Sequence, residues 1–476
     1  MHALQPSTPV AGGDTWEPRL AGEEPLLRGL GLKEATALNM IDMVGIGPFI
    51  TIPLILGAMG GPQAMLGWLA GALLALCDGL VWAELGAAMP QAGGSYVYLR
   101  AAYGPRAWGR LLSFLFIWQM LFRAPLSMAS GLIGFADYLG YVVPGLVTAT
   151  AGRTLPHRLV AAGVGLLIIF LLYRRITVIG KVSLYLWVVV FGTIAWIIFA
   201  GLRHFNPTRV LDFPPGAFDF SFGFLTGLGS AALIAIYDYL GYQNVCYLGA
   251  EIRQPQRVIP RAIIISIVGV AALYFVMNVS LISVLPWREA MSSRFVVADF
   301  MARLYGPTAA QVATTLILVA AFASVFSLML GYSRIPYAAA LDGNFFRVFA
   351  RVHPSKRFPH VSLLAVGGVT VAFSLLFTLL DVIKGLMAIR ILIEFVAQAI
   401  AVLLLHRAGA RFPFRMWLYP LPALLAIGLW VWLFLATGLG FILIGLGVLA
   451  LGVVVYLVRA RLLGEFPFAA EEGRAG

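Results

Sequence analysis

Long apolar runs alternate with short polar segments along the whole 476-residue chain. Because an α-helix rises about 1.5 Å per residue, roughly 20 apolar residues cross the ~30 Å hydrocarbon core of a bilayer. The pattern therefore predicts an all-α membrane protein, embedded in the lipid bilayer, with twelve transmembrane helices. These helices are predicted over residues 34–58, 63–88, 107–139, 158–173, 179–201, 223–250, 262–285, 307–341, 361–380, 386–405, 416–437 and 439–458.

Two of these runs are interrupted by residues that disfavour a continuous helix. In the first run, Gly45, Gly47 and Pro48 stand within four positions of one another, and in the sixth run the interruption falls around 237–241. Lipid cannot satisfy an unpaired backbone N–H or C=O, so irregular backbone at this depth is stable only where it lines a cavity. The breaks occupy matching places in two halves of five helices, as in transporters built from inverted repeats. We therefore expect a solute-binding site where the breaks meet.

Composition and charge exclude a soluble globular protein. Hydrophobic residues make up 61% of the chain and charged residues 11%, whereas soluble domains have about 25% charged residues. Of the 33 Lys and Arg residues, 23 fall on the side of the N-terminus in a twelve-helix topology, eight fall on the other side, and Arg123 and Arg390 lie within helices. Cytoplasmic loops carry such an excess. The distribution predicts a cytoplasmic-membrane protein with both termini in the cytoplasm, and it explains the net charge of +12 without a nucleic-acid partner.

The residue patterns favour binding over catalysis. No metal-ligand spacing, nucleophile motif or phosphate loop is present, so no catalytic residue, metal or cofactor is predicted. At a helix break, the free N–H groups of one half suit a carboxylate and the free carbonyls of the other half suit an ammonium group. A zwitterion fits both. Cys77 and Cys246 fall within predicted helices and offer no disulfide framework; Cys246 follows the second break closely, and we expect it near the transport pathway.

Four ordered motifs carry a family resemblance. They are VGIGPFITIP at 44–53, WAELGAAMPQAGGSYVYLRAAYGP at 82–105, YLGYQN and AEIRQPQRVIPRAI within 239–263, and SRIPYAAALDGNFFRVFARVHPSKRFP at 333–359. By these motifs the chain resembles the amino acid-polyamine-organocation (APC) superfamily of permeases over its first ten predicted helices. The resemblance implies a LeuT-type fold, a five-plus-five inverted repeat in which helices 1 and 6 are broken. It also implies secondary transport of amino acids or related amines.

On that fold the chain divides into a cytoplasmic tail, a transporter core of two repeats, two additional helices and a second cytoplasmic tail. The corresponding ranges are 1–30, 31–405 (repeats about 31–201 and 222–405), 416–458 and 459–476. The resemblance places the substrate carboxylate at the first break and the substrate amine at the second. The substrate-binding residues predicted in this way, with the glycine of the second break, are Met43, Gly45, Ile46, Gly47, Tyr237, Asp238, Leu240 and Gly241.

Three positions depart from the pattern of the resemblance. Relatives commonly carry a hydroxyl residue where this chain has Ile46, so only backbone donors remain for a carboxylate. Val190 stands where some sodium-independent relatives have a lysine, which does not support a lysine-for-sodium mechanism. Asp238 stands where many relatives have a small neutral residue. A carboxylate there favours a cationic group in the pocket.

Charged residues inside predicted helices each need a partner, water or a function, because a buried charge costs several kcal/mol in lipid. Asp42, Arg123 and Asp238 are candidates for a coupling network in which a carboxylate binds a substrate amine or a proton and Arg123 supplies the counter-charge. The alternative is a structural ion pair of Arg123 with Asp42 or Asp238. Arg390 and Glu394 are four residues apart, which predicts an intrahelical pair.

Three other acidic residues, Asp78, Glu84 and Asp137, lie towards the ends of predicted helices. Water is within reach at such positions, so these side chains are predicted to be solvated or to cap helices.

These observations predict a secondary active permease that moves amino acids across the cytoplasmic membrane by alternating access. Protons are a candidate coupling ion. The alternative within this class is a carrier of polyamines or other organic cations, which Asp238 and the missing hydroxyl favour. The alternative from another class is a non-transporting membrane sensor with the same fold. The sequence leaves the particular substrate, the coupling ion and the oligomeric state open.

Overall fold

The computed structural model describes residues 26–104, 107–143, 154–376, 388–462, 464 and 467. Most of the predicted tails, 1–30 and 459–476, falls outside these residues. Within the described part the chain is overwhelmingly helical, and its only β-structure is two isolated bridges, Leu30 with Ile252 and Ala92 with Leu248.

The helices follow one another with short connections. Up to the second break they are α1 (Leu32–Met43), α2 (Gly47–Met59), α3 (Met65–Ala88), α4 (Ser95–Ala102), α5 (Trp108–Val142), α6 (Leu155–Leu172), α7 (Ile176–Arg203), α8 (Pro207–Val210) and α9 (Phe222–Tyr239). After it they are α10 (Asn244–Tyr247), α11 (Pro255–Val284), α12 (Trp287–Ser292), α13 (Val296–Tyr305), α14 (Pro307–Tyr332), α15 (Arg334–Leu341), α16 (His360–Leu376), α17 (Ala388–Arg407), α18 (Leu421–Ala436) and α19 (Leu439–Leu462).

The described residues contain 9 helices that are long and apolar enough to cross a membrane, and the bent pair formed by α1 and α2 makes a tenth crossing. Two shorter apolar helices, α16 and α18, coincide with the ninth and eleventh predicted runs. The predicted all-α membrane protein is confirmed at this level. The total of twelve crossings and the inverted repeat stay predictions.

The first break lies where the glycines and the proline predict it. Helix α1 ends at Met43 and α2 begins at Gly47, with a bend of 45° between them. The residues between the two helices are not helical. Gly47 itself is the first residue of α2 rather than part of the irregular segment. Pro48 follows it in the first turn, where proline needs no N–H partner and its fixed φ suits a helix.

The second break lies slightly later than predicted. Helix α9 runs through Tyr237 and Asp238 to Tyr239, and a turn at 240–243 separates it from the short α10. Asp238, which falls within the predicted interruption at 237–241, therefore lies in the last turn of the helix instead. Gly241 has φ +133°, a conformation that residues with a Cβ rarely adopt, and it makes the turn possible.

Small residues bring the helices around the breaks into close contact. A Cβ added at Gly67 of α3 would lie 2.7 Å from the Cβ of Ala231 in α9, and one at Gly71 would lie 3.2 Å from the Cβ of Ala235. Such small residues let helix backbones approach closely in membranes, where dispersion contacts replace the hydrophobic effect as the driving force. Helix α3 thereby holds the first half of the second broken run in place.

The prediction that Asp78 is solvated or a helix cap is wrong. Its side chain is fully buried in α3, where it accepts hydrogen bonds from the Tyr242 hydroxyl at 2.6 Å and from Nε1 of Trp430 at 3.1 Å. Tyr242 belongs to the second break and Trp430 belongs to α18. Asp78 is buried by tertiary packing, because α18 covers a face of α3 that would otherwise meet lipid or water.

The same correction applies to Glu84, which is also fully buried in α3. It lies 2.7 Å from Nε2 of His406 and accepts a hydrogen bond of 3.2 Å from the backbone N–H of Met416. Asp137, by contrast, is 30% exposed and pairs with His157 at 3.0 Å, as a residue near a helix end can.

Candidate functional site

The two breaks face one buried cavity of about 90 Å³. One water molecule needs about 10–15 Å³ of such space, so there is room for several waters or one small organic solute. All eight residues predicted from the sequence line this cavity, together with Asp42: they are Met43, Gly45, Ile46, Gly47, Tyr237, Asp238, Leu240 and Gly241. The expected meeting of the two breaks is therefore present in the structure.

The carbonyls at the end of α1 already have partners within the protein. The Ser324 hydroxyl of α14 donates a hydrogen bond of 3.1 Å to the carbonyl of Asp42. The Tyr274 hydroxyl of α11 lies 2.8 Å from the carbonyl of Met43 and 3.3 Å from that of Asp238. One tyrosine thus joins the ends of both broken helices. Because each of these carbonyls already accepts one hydrogen bond, it offers fewer free lone pairs to a substrate ammonium group. Acidic side chains therefore become more important partners for that group.

Asn39 of α1 organises the second break. Its Nδ2 donates a hydrogen bond of 2.7 Å to the carbonyl of Tyr242, and its Oδ1 accepts a hydrogen bond of 2.9 Å from the N–H of Val245. The N–H of Gly241 is satisfied by Oε1 of Gln243 at 3.1 Å. Buried backbone groups without partners cost several kcal/mol in an apolar environment. These bonds allow an irregular turn to persist inside the bundle.

The glycines of the first break are required by close approach. A Cβ at Gly45 would lie 2.8 Å from Oγ of Ser324, and one at Gly47 would overlap Oδ1 of Asp238. The second of these contacts shows that the Asp238 carboxylate lies directly against the start of α2. The two broken runs therefore touch at the positions that the sequence singles out.

Asp238 has one satisfied carboxylate oxygen and one unsatisfied one. Its side chain is 2% exposed, and Oδ2 accepts a hydrogen bond from the hydroxyl of Thr51, the fifth residue of α2. Oδ1 has no hydrogen-bond partner among the described residues. A carboxylate beside a helix N-terminus is favoured by the helix dipole, which explains the position. An unpartnered buried acceptor in a cavity is suited to bind a proton or an ammonium group.

Asp42 and Arg123 do not form the predicted ion pair. Asp42 lines the cavity and is 6% exposed, and its carboxylate makes no hydrogen bond or ion pair with any residue that the structure describes. Arg123 of α5 lies outside the cavity wall and pairs with Glu394 of α17 at 3.2 Å. The predicted pairing of Arg123 with Asp42 or Asp238 is therefore wrong, because the packing of α5 against α17 supplies a different carboxylate.

The predicted pair within α17 is present and belongs to a larger cluster. Nε and Nη2 of Arg390 donate to the two oxygens of Glu394 at 3.0 and 3.1 Å. Glu394 also accepts from the Tyr247 hydroxyl at 2.8 Å, besides its pair with Arg123. Residues 391–396 are wound as a π-helix, a wider turn that is frequent at functional sites. Arg390 lines the cavity, which the sequence interpretation missed.

Several other polar wall residues were also missed. They carry no charge and sit in apolar runs, so only the packing of α2, α5, α14 and the second break identifies them. Those with side-chain oxygen or nitrogen are Thr51, Ser127, Ser130, Gln243, Ser324 and Tyr332.

Cys246 lies outside the cavity wall. It is fully buried in α10, and its Sγ is 3.7 Å from the carbonyl of Trp82 in α3. It faces a neighbouring helix rather than the cavity between the breaks. Among the described residues, no group of three or more His, Cys, Asp or Glu side chains could hold a metal ion.

A membrane protein with two broken helices around one cavity that contains charged side chains has the architecture of a solute transporter. Residues 30–458 match the sequence model of the amino acid permease family. A serine/threonine exchanger of Bacillus subtilis is 26% identical over 418 residues, which cover 84% of this chain and 89% of the relative. A branched-chain amino acid permease of the same bacterium is 25% identical over 461 residues, or 93% and 95% of the two chains. Human cationic amino acid transporter 4 is 27% identical over 407 residues, 81% of this chain and 61% of the relative.

Because the match spans nearly the whole chain, this protein belongs to the amino acid permease family. The resemblance predicted from the four sequence motifs is confirmed. Amino acid permeases are multi-pass membrane transporters and not enzymes, so the predicted class is confirmed as well.

Proposed function

We propose that this chain carries an amino acid across the cytoplasmic membrane as a secondary active transporter, and that the cavity between the two breaks alternately opens to each side. The observation that carries this proposal is the convergence of all eight predicted residues on one buried cavity. They come from two runs that are almost 200 positions apart in the chain, and each run is irregular where it meets the cavity. Irregular backbone at membrane depth is tolerated where it lines such a space.

Within this cavity, the main chain at Gly45 to Gly47 forms one wall and the end of α9 forms the other. Asp238 is the proposed partner of the substrate ammonium group, because its Oδ1 is buried and lacks a hydrogen-bond donor among the described residues. A hydrogen bond between charged groups contributes about 1.5–3 kcal/mol. That is enough to select amines over neutral solutes of similar size.

A count of charges supports proton coupling. Asp42, Asp238 and Glu394 carry three negative charges when ionised, and Arg123 and Arg390 carry two positive charges, which leaves one negative charge among these five residues. A zwitterionic amino acid adds no net charge. Because uncompensated charge is costly at membrane depth, one proton on Asp238 or Asp42 would accompany a neutral amino acid.

The same charge count favours a second candidate, a carrier of organic cations such as polyamines. A cationic substrate would balance the remaining negative charge without a proton. The two candidates differ in whether proton movement accompanies transport of a neutral amino acid.

Uptake into proteoliposomes tests the proposal. Purified protein is reconstituted and supplied with labelled serine, leucine, lysine or putrescine, with and without an inward proton gradient. We expect saturable uptake of at least one amino acid, stimulated by the gradient for the neutral substrates, and counterflow when the vesicles are preloaded. Uptake of putrescine alone would establish the organic-cation carrier instead. Ligand-induced thermal stabilisation without uptake or counterflow would identify a sensor.

A further inference from the structure

The first break offers a poor position for the carboxylate of an amino acid. Ile46 has no hydroxyl, and Pro48 has no N–H in the first turn of α2. The Asp238 carboxylate already lies against the start of α2, where it accepts a hydrogen bond from Thr51. A second carboxylate at the same helix terminus would meet a like charge at short range, which is unfavourable in a low-dielectric site. The carboxylate of a substrate therefore needs another partner in this cavity.

Arg390 has the geometry to be that partner. Its side chain is 5% exposed and lines the cavity wall. Nε and Nη2 are held by Glu394, which fixes the plane of the guanidinium. The remaining nitrogen, Nη1, donates no hydrogen bond to any residue that the structure describes. A guanidinium held by one edge keeps further N–H donors for a second acceptor.

The net charge of the cluster of Arg390, Arg123 and Glu394 also supports Arg390 as the partner of a substrate carboxylate. Glu394 is shared by Arg390 and Arg123, and the Tyr247 hydroxyl also donates to it. Two guanidinium groups thus share one carboxylate, and one positive charge of the cluster is not compensated within it. Arg123 lies outside the cavity wall, so Arg390 is the member that presents this charge to the cavity.

Asp42 lines the same cavity as Arg390, and the two side chains form no ion pair with each other although their charges are opposite. The cavity therefore contains a separated acid and base. A zwitterion can bridge such a pair, because its ammonium and carboxylate groups extend from a single carbon atom.

We propose that Arg390 binds the carboxylate of the transported amino acid and thereby makes a carboxylate a requirement for recognition. This inference rests on the proposed transport function and deepens it. Arg390 favours amino acids over simple amines and polyamines, since only a substrate with a carboxylate can accept hydrogen bonds from its guanidinium. The widened turn of α17 begins directly after Arg390. Its proposed function is to present this guanidinium to the cavity.

The test compares amino acids with their amides, which keep the amine and the side chain but lack the negative charge. Serine, leucine and lysine are paired with serinamide, leucinamide and lysinamide. Affinities are measured by thermal stabilisation of the purified protein and by inhibition of uptake. In the wild-type protein we expect the acid to bind about tenfold to 100-fold more tightly than its amide.

Arg390→Gln should remove most of this difference by weakening the acid while leaving the amide unchanged. The variant keeps Glu394 paired with Arg123, so the buried charges balance and we expect it to fold. Arg390→Lys keeps the positive charge but loses the planar guanidinium with its fixed N–H donors, and we expect an intermediate preference for the acid. Arg123→Gln is the matched control, because it removes the other guanidinium of the cluster, which lies outside the cavity wall. It should retain a larger preference for the acid than Arg390→Gln.

Two results would overturn the inference. One is a wild-type protein that binds the amide as tightly as the acid, a result that needs no variant. The other is a folded Arg390→Gln or Arg390→Lys protein with the full wild-type preference for the acid. These results differ from failure of the transport function, in which the wild-type protein binds amino acids but shows neither uptake nor counterflow.

Discussion

Gly47→Ala is the smallest change that separates the two broken helices. The added Cβ would overlap Oδ1 of Asp238, and it would lie 3.3 Å from Cγ of Asp238 and 3.8 Å from Cε1 of Tyr237. Both neighbours belong to the last turn of α9. The carboxylate therefore has to move away from α2, and its hydrogen bond with Thr51 is lost or weakened.

The size of the effect follows from two opposing terms. A hydrogen bond to a charged group contributes about 1.5–3 kcal/mol. Replacing glycine by alanine in a helix recovers up to about 1 kcal/mol through helix propensity. The net cost in the free energy of unfolding is about 0.5–2 kcal/mol. Because the displaced carboxylate is also the proposed partner of the substrate ammonium group, we expect substrate affinity to fall by roughly one order of magnitude.

Uptake into proteoliposomes measures this loss, and thermal unfolding of the purified protein shows whether the fold survives. Gly57→Ala is a matched control in the same helix, because its Cβ would meet only the Met291 side chain, with Cγ at 3.7 Å and Sδ at 3.9 Å, which are ordinary contacts. It should transport within about twofold of wild type and be no less stable. The reasoning is refuted if Gly47→Ala and Gly57→Ala transport equally well.

Three further predictions concern other parts of the molecule. Glu251→Gln should lower the free energy of unfolding by about 3–5 kcal/mol, because it orphans Arg334, whose Nε and Nη2 lie 2.7 and 2.8 Å from that carboxylate in a buried pair. Thermal unfolding measures this loss of stability. The double variant Glu251→Gln with Arg334→Gln should recover part of the loss. A Glu251→Gln protein as stable as wild type would contradict the prediction. Cys246 should resist a membrane-permeant maleimide in vesicles, since its side chain is fully buried; rapid labelling that substrate blocks would instead place it on the pathway. Asp238→Asn should lower the affinity for the substrate amine and abolish accumulation driven by a proton gradient, yet keep exchange between equal pools when labelled amino acid is saturating. Unchanged accumulation would exclude Asp238 as the proton carrier.

The sequence contains most of the transmembrane architecture because the bilayer is a simple solvent. It demands apolar segments of a set length and tolerates irregular backbone only at protected places. Gly45, Gly47 and Pro48 therefore predict the first break directly. The second break is less sharply marked, since Tyr237 to Tyr239 can belong equally to a helix end or to a turn. Its position was predicted slightly too early for that reason.

The sequence also predicts that these breaks meet in one site, although it misses Arg390 as a member of the wall. The spacing of Arg390 and Glu394 by four residues correctly indicates a shared helix face and a pair. It carries no information about what that face meets. Only the packing of α17 beside the breaks shows that this arginine faces the cavity.

Tertiary structure alone decided which charges are partners. Arg123 pairs with Glu394 rather than Asp42 or Asp238, and Asp78 is buried between Tyr242 and Trp430. Periodicity along a helix fixes which residues share a face, but the rotation of that helix and the identity of its neighbours come from side-chain packing between distant segments. Ion pairs and buried hydrogen bonds have a range of only a few ångströms, so they follow from that packing and not from position in the chain.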